Sequence, residues 1–146
     1  MLALLAAPLR GRPDGRRSHW TRFVGGFAAV VLALLLVVVL GEYVPGVRPV
    51  AQVVYDPVLP TVLFFAPPVV SAASAYQDGS VLASLAVGLT PALLFGVVVA
   101  VNQFLTGQVA GDAPLWAVVV VFGTVGIAGA VTGYVVGWGM RVFLRE

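Results

Sequence analysis

The chain has 146 residues, 60% of them hydrophobic and 10% charged, with a formal net charge of +2. Soluble domains average about 45–50% apolar and about 25% charged, so this composition argues against a water-soluble fold and for several membrane spans. There is no Cys, which excludes disulfides, thiol catalysis and Cys-ligated metals. All eight basic residues are Arg, and the Ala/Val/Gly/Arg bias resembles a GC-rich prokaryotic coding style.

Residues 1–22 read as a basic cytoplasmic tail. Met1 to Leu9 is apolar but short, and Arg10, Arg12, Arg16, Arg17 and Arg22 follow. Arg16-Arg17 ahead of an apolar run has the form of a twin-arginine export signal. Ser18-His19-Trp20 is not the usual apolar continuation, and no small-x-small cleavage site follows. An uncleaved span is expected instead.

Residues 23–146 read as a single membrane domain with four spans. Phe23 to Val44 is the first, and Val30 to Leu40 contains only Val, Leu and Ala. About 20 apolar residues cross a bilayer core. Its bulky surface predicts the most lipid-exposed helix. Gly41 to Gly46 carries turn chemistry. Pro45 to Asp56 is expected as a loop, with Pro57 opening the second helix.

Residues 57–77 form the second expected span. Interior prolines remove a backbone hydrogen bond and crowd the preceding turn. Pro67 and Pro68 therefore predict a kink or short break near Phe64 and Phe65. Ser71 to Ala75 is small enough for close packing. A tight turn at Gln77-Asp78-Gly79 leads to the third span, residues 80–106. There Gly88, Ala92, Gly96 and Ala100 recur every four residues, and Pro91 predicts a second kink.

Residues 107–114 are a polar loop, and residues 115–143 the fourth span. On a helix at about 100° per residue, Gly123, Gly126, Gly129, Gly133 and Gly137 fall with Ala130 in one arc of roughly 120°. Gly129, Gly133 and Gly137 make a doubled G-x-x-x-G, a surface on which membrane helices approach closely. The expectation is an all-α, four-helix transmembrane bundle, up-down-up-down. The third and fourth helices should be its tightest pair, through Gly88, Ala92, Gly96, Ala100, Gly126, Gly129, Gly133 and Gly137. Whether the glycine strip also meets a helix of this chain or of a partner is open at this point.

Orientation follows from the Arg count. With four spans, seven Arg fall on one side and Arg48 alone on the other. The positive-inside rule then puts both termini in the cytoplasm, with the protein multi-pass in the cell membrane. Trp20, Tyr76 and Trp138 fall at the inner boundary; Tyr43, Tyr55 and Trp116 fall at the outer one.

Candidate chemistry is sparse. The single His, His19, lies in the tail, and no phosphate-binding glycine loop is present. No catalytic residues, cofactor or metal are expected. Two features remain. Pro67, Pro68 and Pro91 fall at similar depth, where broken helices can expose carbonyls to a substrate or ion. Glu42, Asp56, Asn102, Gln103 and Asp112 fall near the outer face. They could bind a cation or a polar partner loop, or simply cap helices. The favoured function is a non-enzymatic integral membrane protein acting as a subunit, scaffold or assembly partner. Its partners would be the lipid bilayer and a second copy or another membrane protein, not nucleic acid. The alternative is a small oligomeric channel or transporter subunit using the kinked centre.

Overall fold

The structure is a computed structural model and describes residues 20–77, 79–107 and 113–144. The described residues form four long helices: α1 (Trp20–Tyr43), α2 (Arg48–Tyr76), α3 (Val81–Thr106) and α4 (Leu115–Leu144). All four are long and apolar enough to cross a membrane. The tail before Trp20, Asp78, Asp112 and Arg145 lie outside the described residues.

Two expectations about α2 are corrected. The expected loop over 45–56 is helical from Arg48 onward, and a turn at 44–47 makes the whole connection from α1. Pro49 sits in the first turn, where its missing N–H breaks no bond. Of the kink or short break expected near Phe64 and Phe65, the break is absent: Leu59–Tyr76 is one uninterrupted α-helix containing Pro67 and Pro68. The irregular turn lies earlier, at Val54–Val58, where a π-type widening accommodates Pro57. That widening absorbs one extra residue. Ala51 and Leu59, eight positions apart, thereby return to the same side, and both are buried. Tyr55 between them is exposed.

The connections are closed by local hydrogen bonds. At the α2–α3 turn the Gly79 N–H donates to Ser74 O at 2.7 Å, and a β-carbon on Gly79 would overlap the Ser74 hydroxyl. Ser80 caps α3, its Oγ accepting from Ala83 N at 3.2 Å. Gly107 ends α3 in the left-handed region (φ 68°), where glycine carries no steric cost.

Helix directions alternate along the chain, but neighbours are not simply consecutive. Gly88 opposes Gly126, Ala92 opposes Gly123 and Gly96 opposes Val119, so α3 and α4 are antiparallel. Pro68 opposes Gly133 and Ala72 opposes Gly137, so α2 and α4 run parallel. Tyr43 meets Asn102 where α1 and α3 both end, so these two are parallel as well. Thus α1 and α4 stand at opposite corners, each leaning on α2 and α3.

The core follows this layout. Phe27, Val31 and Leu35 recur at helical spacing on α1 and pack with Leu59 and Leu63 of α2 and Val87 of α3. Phe122 of α4 packs against this cluster and sits between Phe64 and Phe95, with ring centroids at 5.6 and 5.8 Å. Only 17% of the most apolar stretch of α1 is buried, and α4 has the same value, against 33% for α2 and α3. The exposure expected of the first helix alone is therefore shared by the fourth.

The glycine strip is internal and has two neighbours. Gly123 and Gly126, with Ala130, face α3; Gly129, Gly133 and Gly137 face α2. The strip passes from one partner to the other along its length, and the α2–α4 contact is the more extensive. The expected α3–α4 pair is thus joined by an equally close α2–α4 pair. Ala100, counted among the expected packing residues, is exposed. In the antiparallel register Ala100 falls opposite the first turn of α4, where the contact runs out.

Candidate functional site

The prolines build packing surfaces. Pro67 is fully buried, and Pro91 is buried on α3. Pro68 covers Gly129, its Cδ lying 3.2 Å from where a β-carbon would stand. Membrane helices tolerate such prolines when neighbours fill the space around the lost bond.

Buried hydroxyls gather where α2 and α3 adjoin near their turn. Ser71 Oγ donates to Ser84 O at 3.5 Å, and the Ser74 and Ser84 hydroxyls are buried with no hydrogen-bond partner. Thr90 turns back on its own helix, donating to Ala86 O at 2.7 Å. Small hydroxyl side chains let these two helices approach closely, which is their use in membrane bundles.

The polar end of the bundle is where α1 stops, α2 starts and α3 stops. Glu42 and Tyr43 occupy the last turn of α1. Asn102, one turn from the end of α3, joins them: Tyr43 Oη donates to Asn102 Oδ1 at 2.8 Å, and Asn102 Nδ2 donates to Glu42 Oε2 at 3.4 Å. Of the five residues expected near the outer face, the structure brings Glu42 and Asn102 together. Gln103 is half-buried. Asp56 is exposed on the widened turn of α2, outside this cluster. Asp112 lies outside the described residues.

A cleft of about 240 Å³ opens beside this cluster, between α1 and the first turns of α2. Glu42, Arg48, Gln52 and Tyr55 line it, with Val38, Gly41 and Ala51 beneath. Arg48, Gln52 and Tyr55 are not among the candidate residues. Their placement depends on α2 starting at Arg48, and the turn residues Pro45-Gly46 between Glu42 and Arg48 were the available signal. Among the described residues no group of three His, Asp or Glu side chains is arranged to hold a metal ion. The cleft instead offers one carboxylate, one guanidinium, an amide and a phenol.

No protein-family model matches the chain, and no similar curated protein or solved structure is found.

Proposed function

We propose that this chain is a multi-pass membrane protein that acts non-catalytically, as a subunit, scaffold or assembly partner, with both termini cytoplasmic. The orientation rests on seven Arg against one. The partner reading rests on the outward face of α4. Thr124, Ala128 and Thr132 recur there every four residues and are exposed. Both hydroxyls turn back on their own helix, to Val120 O at 2.8 Å and Ala128 O at 2.9 Å. The face is therefore smooth and its polar atoms are satisfied, as at helix–helix contacts in lipid. The inner glycine strip is occupied by α2 and α3, so association calls for an outer face, and this strip offers one. The channel alternative has less support, because Pro67 and Pro91 pack inside the bundle rather than lining an opening.

Disulfide crosslinking of an Ala128→Cys variant in native membranes tests the reading, since the chain has no other Cys. A crosslinked species at Ala128, and none for Val30→Cys on the exposed face of α1, is the expected result. Equal yields at both positions, or none at either together with a monomer on blue-native electrophoresis, would count against it.

A further inference from the structure

The cleft between α1 and α2 has oppositely charged walls and a closed floor. At the floor a β-carbon on Gly41 would overlap that of Ala51, so the two helices converge there. Glu42 stands on the α1 side; Arg48, Gln52 and Tyr55 stand on the α2 side. The Glu42 carboxylate accepts from the Asn102 amide at 3.4 Å rather than from Arg48. A carboxylate has about four acceptor positions, so most of its capacity remains for a ligand. Opposite charges that line one opening without pairing suit a molecule bearing both signs.

We propose that this cleft binds a zwitterion made of a phosphate and a primary ammonium, the headgroup of an ethanolamine phospholipid. The inference rests on the reading that the four helices span a bilayer, which sets the cleft at a membrane surface. Arg48 has the planar fork that grips phosphate oxygens. Glu42 accepts from the ammonium, and Asn102 positions Glu42 from α3. The Gln52 amide can serve either end of the headgroup. A quaternary ammonium has no N–H to give Glu42 and relies on an aromatic cage, and Tyr55 alone supplies the aromatic surface of this lining. An anionic headgroup without an ammonium leaves Glu42 facing a like charge.

Native mass spectrometry of the detergent-purified protein tests this, with phosphatidylethanolamine, phosphatidylcholine and phosphatidylglycerol of matched chains. The ethanolamine lipid should be retained about tenfold more than the other two. Glu42→Gln and Arg48→Gln should each remove that preference, with circular dichroism and gel filtration unchanged. If Arg48→Gln does not fold, Glu42→Gln and Gln52→Ala carry the test. Equal retention of all three lipids, or an undiminished preference in the folded variants, overturns the proposal. Displacement of the lipid by equimolar soluble O-phosphoethanolamine overturns the lipid as source and assigns the cleft to a free ligand. The bilayer reading fails separately, if carbonate washing releases the chain from membranes.

Discussion

Gly133 of α4 lies so close to Pro68 O of α2 that a β-carbon on Gly133 would overlap that oxygen. Two effects oppose each other in Gly133→Ala. Helix propensity favours Ala by about 1 kcal/mol, whereas forcing a methyl into a packed contact costs about 1–3 kcal/mol. The obstacle is backbone, which cannot rotate away, so the clash should win. Gly133→Ala is expected to lower stability by up to about 2 kcal/mol in denaturant titration in detergent micelles. Gly139→Ala, where nothing lies within 4 Å, should be neutral or stabilising.

The crossing of α3 and α4 makes a finer distinction between two glycines three residues apart. A β-carbon on Gly126 would overlap Gly88 O, whereas one on Gly123 would stand 3.7 Å from Ala92 Cβ, an ordinary contact. Gly126→Ala should therefore destabilise and Gly123→Ala should not. Thermal melts of the two variants side by side check this, and equal melting temperatures would contradict the register given for α3 and α4.

Asn102 ties α3 to the last turn of α1 through two hydrogen bonds. Both are exposed, so the expected cost of Asn102→Leu is modest, about 0.6–1 kcal/mol. Tyr43→Phe removes one of the two. A double-mutant cycle should show the pair to be non-additive, because the Tyr43 bond can be lost only once. Additive losses would mean that Tyr43 and Asn102 do not pair in the folded protein.

Absence of native Cys makes the orientation directly testable. Gln77→Cys lies at the α2–α3 turn, and Ala113→Cys lies just before α4 at the opposite end. A membrane-impermeant thiol reagent applied to intact cells should label Ala113→Cys and spare Gln77→Cys. The reverse pattern would invert the arrangement inferred from the Arg distribution.

The four helices were legible in the sequence because length and apolarity alone reveal them. Val30 to Leu40 leaves no other assignment for α1, and the Gln77-Asp78-Gly79 turn signal precedes α3. The start of α2 was not legible. Pro57 is equally compatible with a helix start and with a widened turn inside a helix, and the packing of Ala51 against Gly41 favours the second. The glycine strip was legible as a contact surface, but its partners were not. A smooth strip says how closely something approaches, whereas the identity of that neighbour depends on how three helices cross. At the polar end, Glu42 and Asn102 were recognised by type and depth. Arg48 reads in the sequence only as a loop charge, since its role depends on where α2 begins.

The shared glycine face of α4 also sets an order of assembly. The groove it fills is lined by backbone oxygens of Gly88, Pro68 and Ala72, which come from two earlier helices. Neither helix alone presents the whole of that groove, so the expected order is closure of the α2–α3 hairpin and then docking of α4. The hairpin is local in sequence and held by the Ser74–Gly79 turn, features that favour early formation. A polypeptide cut between α3 and α4 should thus yield two fragments that recombine. An excess of the α4 fragment should compete with the helix of the intact chain for its own seat.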